Sequence, residues 1–133
     1  MNKFYESIAG VLEVDDVRPE TRFRETDGWS SLMAFGILVS MENEWGAPLT
    51  VDELLKCETA RDLFLLAFGS FAARLLGISR EEALAASHGS IPQWDSVNHL
   101  RLVMEAESRF GVTYPLERIP AIKSVADFVD AAE

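Results

Sequence analysis

Ser31 and Ser96 are the residues whose type and setting could do chemistry. Ser96 lies in Pro92-Gln93-Trp94-Asp95-Ser96-Val97 and Ser31 in Asp27-Gly28-Trp29-Ser30-Ser31-Leu32, each at the head of a long amphipathic stretch. Asp and Ser are strong helix N-caps, so one use of these residues is simply to start a helix. A helix N-terminus also stabilises a phosphate through its dipole and its free first-turn amides. A phosphodiester carried on either serine would sit where that field favours it. A serine-hydrolase triad is not expected. His88 and His99 have no counterparts in the first stretch, and nucleophile-elbow glycines are absent. No catalytic residue is assigned, and the chain is not expected to be an enzyme.

The elements that must position these serines repeat as well. Ser31 and Ser96 are 65 residues apart, as are Gly46 and Gly111, which close the two stretches. Thr59 matches Ser124, Asp62 matches Asp127 and Leu63 matches Phe128 in the same register. Self-similarity at a fixed period marks two copies of one small unit, residues 1–66 and 67–133. Units of roughly 65 residues bury only about 60% of their unfolded surface, and three or four short helices around one core are the economical solution. The expected fold class is all-α, two four-helix bundles in tandem.

In the first copy, Phe4, Ile8, Val11 and Leu12 fall at helical spacing. A polar loop from Asp15 to Gly28 leads to helix two, which carries Leu32, Phe35, Leu38, Val39 and Glu42 and stops at Gly46. Thr50-Val51-Asp52-Glu53 is a capping box that opens a one-turn helix, and Glu58 or Thr59 starts the last helix, with Leu63, Phe64 and Leu66 inward. In the second copy, Phe71, Leu75, Leu76 and Ile78 mark helix one, and a loop runs from Ser79 to Gln93, one residue longer than in the first. Helix two carries Val97, Leu100, Val103, Met104 and Phe110; Pro115 and Pro120 bracket the short third helix, and Ser124 caps the fourth. Between Thr59 and Gly77 there is no proline and no linker composition, only Gly69 and Ser70 as weak points. A continuous or kinked helix is expected to join the copies.

Twenty-two acidic against 12 basic residues give a net charge of −10, which argues against nucleic acid as a partner. It favours basic partner surfaces or plain solubility. The single cysteine, Cys57, excludes an internal disulfide framework and a cysteine metal cluster, and reads as a small buried hydrophobe. No metal site is expected. No apolar run approaches the ~20 residues of a membrane span, and nothing resembles a signal peptide, so a soluble, cytoplasmic protein is expected.

The phrase Trp94-Asp95-Ser96-Val97, followed by Leu100, Val103, Glu105, Glu107 and Phe110-Gly111, resembles the acyl carrier protein family. Glu58-Thr59-Ala60-Arg61-Asp62-Leu63 and Ile122-Lys123-Ser124-Val125-Ala126-Asp127-Phe128 are similar to that family's closing segment. The resemblance covers nearly the whole chain, once per copy. It implies compact four-helix bundles with a 4′-phosphopantetheine arm on Ser96, installed by a phosphopantetheinyl transferase from coenzyme A and carrying an acyl or aminoacyl thioester. It implies the same for Ser31, where Ser30 replaces the family's aspartate. Asp95, Trp94 and Trp29 are assigned to the arm's surroundings, the tryptophans either buttressing the loop or flanking the arm.

The resemblance further implies that helix two docks loading and processing enzymes through their basic surfaces. The expected contact residues are Leu32, Met33, Ile37, Glu42 and Glu44 in the first copy, and Val97, Arg101, Met104 and Glu105 in the second. Arg101 and Arg109 soften the acidic face of the second helix, and Arg101–Glu105–Arg109 are expected to pair at i, i+4. The competing reading is a helical docking adaptor that kept the fold without the modification.

Overall fold

The computed structural model describes residues 2–133, and among them the regular structure is helical apart from one isolated antiparallel bridge between Ser87 and Ser124. The chain divides into two compact units, Phe4–Ala67 and Phe68–Glu133, the latter including Asn2 and Lys3. The division falls inside one uninterrupted 17-residue helix, Ala60–Leu76. Gly69 and Ser70 do not interrupt it. At Gly69 a Cβ would come within 2.8 Å of the Leu84 side chain, which would have to shift to make room.

The unit Phe4–Ala67 contains α1 (Lys3–Leu12), a 3-10 turn (Phe23–Glu25), α2 (Ser31–Asn43), α3 (Val51–Lys56) and the start of α4 (Ala60–Leu76). Phe4, Ile8 and Leu12 recur every four residues, so α1 buries one stripe. The Phe4 ring stacks on Phe64 at 5.0 Å and meets Trp45 edge-on at 5.4 Å, while Trp45 Nε1 donates to Ser7 Oγ at 3.0 Å. The indole is thereby buried without leaving its polar atom unpaired. The capping box forms as expected: Glu53 N donates to Thr50 Oγ1 at 3.1 Å and Thr50 N to Glu53 Oε1 at 2.9 Å. Cys57 is buried, and burial first, then Asp62, pushes its thiol up to about 11, which keeps it protonated and unreactive.

The unit Phe68–Glu133 continues α4 from Phe68 and adds α5 (Arg80–Ala85), α6 (Ser96–Phe110), a 3-10 segment (Leu116–Ala121) and α7 (Val125–Ala131). Phe68 stacks between Phe110 at 5.4 Å and Phe128 at 5.1 Å, and the Tyr114 hydroxyl donates to the Phe128 carbonyl at 2.9 Å. The expected loop from Ser79 to Gln93 is corrected by α5. Ser79 and Glu82 form a second capping box, each satisfying the other's backbone N–H, and this starts a helix where turn residues suggested none. The third segment is a 3-10 helix with Pro120 inside it; a ring without an N–H suits a short segment better than a sustained α-helix.

Local devices recur between the units in corresponding places. Val14 N bonds to the Ala9 carbonyl at 3.1 Å and Ile78 N to the Ala73 carbonyl at 3.0 Å, each just past a residue with positive φ, Glu13 at 57° and Gly77 at 71°. Trp29 N bonds to Thr26 O and Trp94 N to Ile91 O; Ala34 N bonds to Ser30 O and His99 N to Asp95 O. Gly46 and Gly111 close their helices at φ 62° and 65°. Ahead of the last helix, Glu58 N donates to Asp62 Oδ2 and Lys123 N to Asp127 Oδ2, both at 2.9 Å. The offset is 64 before the loop and 65 after it, where the second copy is longer.

Glu13 holds a left-handed backbone that costs an L-residue about 1 kcal/mol or more, whereas glycine adopts it freely. Glu13→Gly should therefore raise the unfolding free energy by about 1 kcal/mol and Gly77→Ala lower it by a similar amount. Urea midpoints of the two variants check the opposite signs.

Candidate functional site: two serines at helix N-termini

Ser96 is the first residue of α6 and Ser31 the first of α2, and both side chains are exposed. The residue before each does the capping, so neither hydroxyl is consumed by its own helix. Asp95 accepts from Asn98 N at 2.8 Å, and Ser30 accepts from Met33 N at 3.4 Å. The charged cap is the shorter of the two, as expected for a charge-assisted bond. The replacement of aspartate by Ser30 thus preserves the cap and removes only the charge. One residue earlier, Trp94 is completely buried and Trp29 half-buried, the latter edge-on to the buried Phe23 at 5.8 Å. Of the two uses expected for Trp94, its burial fits the buttressing of the loop: its ring has no exposed face to offer.

The anchor of Trp94 is polar as well as apolar. Its Nε1 donates to Nδ1 of His99 at 3.0 Å, so Nδ1 is an acceptor and the imidazole proton resides on Nε2. His99 packs against Phe128 at 5.5 Å and stacks on His88 at 4.2 Å with only 6° between the planes. His88 Nε2 lies 3.5 Å from Ser96 Oγ. Neither histidine repeats along the chain, yet the structure brings His88 to Ser96 and stacks His99 against His88. No periodic signal could have placed them there.

From each serine an exposed apolar stripe runs along the helix. Leu32, Phe35 and Val39 are 79%, 63% and 38% exposed on α2, and Val97, Leu100 and Met104 are 69%, 54% and 62% exposed on α6. The positions correspond one to one at the 65-residue offset. Phe35 and Leu100 were not singled out as contact residues by the sequence, yet they stand at the centre of each stripe. Glu42, Glu44, Arg101 and Glu105 are exposed as expected, and Met33 is half-buried. Ile37 is a correction: it is fully buried and, with Met41, forms the inward face of α2. The Arg101–Glu105 pair is another, since Arg101 donates instead to Asn98 Oδ1 at 3.1 Å. Beside Ser30, an open groove of about 570 Å³ is walled by Val11, Leu32, Met33, Phe35 and Gly36.

Exposed hydroxyls on the first residue of a capped helix fit covalent attachment of a phosphodiester. The caps take the amides of Asn98 and Met33, and the two amides before each of them have no acceptor within the helix and can donate to phosphate oxygens. Among the described residues, no group of three or more His, Cys, Asp and Glu side chains is arranged to hold a metal ion, and no helix is long and apolar enough to cross a membrane.

The comparisons with known proteins agree with this geometry. Residues 2–64 match the family model described as a phosphopantetheine attachment site. A Caulobacter vibrioides (strain NA1000 / CB15N) protein named probable acyl carrier protein is 27% identical over 74 residues, 56% of this chain and 86% of its own length. No solved structure matches. The first unit therefore contains a helical phosphopantetheine-binding domain, of a class that serves as a covalent carrier and is not an enzyme. Its cofactor is 4′-phosphopantetheine.

Burial first, and the adjacent His88 ring next, hold His99 below its ordinary value of 6.5. A neutral His99 is favoured by the fold, while the unfolded chain takes up a proton more readily. The stability it supplies is complete above pH 6.5 and falls as pH drops through that value towards the folded one. Urea midpoints from pH 8 to 5 should decline more steeply for the wild type than for His99→Gln, which keeps an acceptor for Trp94 but does not titrate. Parallel declines in the two proteins would contradict the assignment.

Proposed function

We propose that the chain is a tandem acyl carrier protein whose two units, residues 1–66 and 67–133, each bear one 4′-phosphopantetheine arm, on Ser31 and on Ser96. The observation that carries this reading is the identical placement of the two serines. Each is exposed at the first position of its helix, behind a capping residue and an anchored tryptophan. A family match that stops at residue 64 covers Ser31, and the recurrence of caps, turns and left-handed residues supports extending the reading to Ser96.

When attached, the arm supplies a thiol that holds an acyl or aminoacyl group as a thioester. The chain's own part is to present the hydroxyl, orient a phosphodiester on the first-turn amides and keep the serine clear of the core. The class of pathway is fatty acid, polyketide or a related assembly. Partners are a phosphopantetheinyl transferase and the enzymes that load and process the cargo. The stripes Leu32–Phe35–Val39 and Val97–Leu100–Met104, each starting beside its serine, are the surfaces on which those enzymes dock. Neighbouring charges differ: Gly36 and Ser40 stand where Arg101 and Glu105 do in the second unit. Charge differences of this kind set association rate and partner choice more than raw affinity. The net charge of −10 suits basic partner surfaces, and the protein is read as cytoplasmic.

Intact-protein mass spectrometry after incubation with coenzyme A and a broad-specificity transferase tests the proposal. Two additions of the phosphopantetheine mass are expected, with one lost in Ser31→Ala and the other in Ser96→Ala. One addition, lost only with either single variant, would reduce the other unit to a docking element. No addition to folded protein would leave the unmodified adaptor as the function.

A further inference from the structure

The two serines are equivalent in backbone and cap but not in what faces the hydroxyl. In the second unit, His88 Nε2 lies 3.5 Å from Ser96 Oγ. The position corresponding to His88 is Phe23, a fully buried ring with no acceptor. His88 is not a loosely tethered surface residue. Its backbone N–H donates to the Lys123 carbonyl at 2.7 Å, next to the bridge between Ser87 and Ser124. Its ring lies flat on His99, which Trp94 Nε1 locks from the other side. Three consecutive contacts thus lead from the buried indole to the exposed hydroxyl, and each fixes the orientation of the next.

We infer that His88 is a positioning residue for Ser96: its Nε2 accepts the hydroxyl hydrogen bond and aims Oγ for modification, an aid that Ser31 lacks. This rests on Ser96 being an attachment site. In the step concerned, Ser96 Oγ forms a bond to the pantetheine-bearing phosphorus of coenzyme A. The bond from that phosphorus to the other phosphate breaks, and 3′,5′-ADP leaves with the electron pair. The hydroxyl proton departs along the side that His88 occupies, to the imidazole or through it to the transferase or water. Holding Oγ with a lone pair turned towards the incoming phosphorus removes rotamers that cannot react. An accepting nitrogen also raises electron density on the oxygen. Because the contact involves one neutral hydrogen bond at an exposed site, its loss should be felt as about fivefold in rate.

The test uses the full chain in a Ser31→Ala background, so that the mass added over time reports Ser96 alone. His88→Phe places in the second unit the ring type found in the first and removes the acceptor. His88→Gln keeps an acceptor at a similar reach. Thermal melts accompany each variant, and His88→Ala replaces His88→Phe should the latter be unfolded at the assay temperature. The expected result is a transfer rate about fivefold slower for His88→Phe and restored to within about twofold by His88→Gln, with both variants folded. A His88→Phe rate equal to the parent's overturns the inference while leaving Ser96 as an attachment site. A His88→Gln rate as slow as that of His88→Phe also overturns it, since an acceptor would then not suffice. Absence of any addition to the parent removes the attachment reading itself, and this inference with it.

Discussion

A serine can stand in solvent at the first turn of a helix only if something else starts that helix and something else holds the chain to the core. In Trp94-Asp95-Ser96 these tasks fall to three consecutive residues: the indole is buried, the carboxylate caps Asn98 N, and the hydroxyl is left exposed. The order cannot be permuted, because the cap must precede the first helical residue and the extended backbone at Asp95 turns neighbouring side chains to opposite sides. Trp29-Ser30-Ser31 meets the same constraint with a neutral and longer cap. Everything functional in either unit depends on this division of labour.

The surrounding packing converts that local constraint into a fixed presentation. In the first unit, Phe4, Phe64 and Trp45 form the aromatic centre against which α1 and α4 close. In the second, Phe68 takes a corresponding place between Phe110 and Phe128. Aromatic rings bury large areas in few residues, which matters in a unit of this size because little core is available to offset the chain entropy. With the inward faces committed to these centres, α2 and α6 are left with a second apolar stripe that has no core to enter. That stripe is what a docking partner would cover.

The units diverge where function can differ without disturbing the fold. Around Ser96 the loop is longer by one residue, carries α5, and brings His88, stacked on His99, to the hydroxyl. Around Ser31 the corresponding ring is Phe23 and the flanking cap is uncharged. Arg101 adds a cation to the second helix where Gly36 stands on the first. On the proposed function, a shared presentation with different neighbours would let the same kind of enzyme act on the two serines at different rates.

By itself the sequence determined where helices begin and end. The Thr50–Glu53 box, the Ser124 cap and the stops at Gly46 and Gly111 all appear as read, because capping is settled within about four residues and needs no distant partner. The Ser79–Glu82 box carries the same local signal inside a segment whose neighbours are loop-forming. Tertiary structure alone decided which stripe of a helix faces inward. On α6, Val97–Leu100–Met104 and Leu102–Val103–Ala106–Phe110 both satisfy helical spacing, and only the second meets the core. On α2 apolar residues occur on every side, so nothing in the pattern marked Ile37 as buried or Phe35 as exposed. Which stripe is covered depends on what another element presents opposite it. That is why the Ser31 and Ser96 positions could be read along the chain, while the stripes beside them and the histidines beneath Ser96 could not.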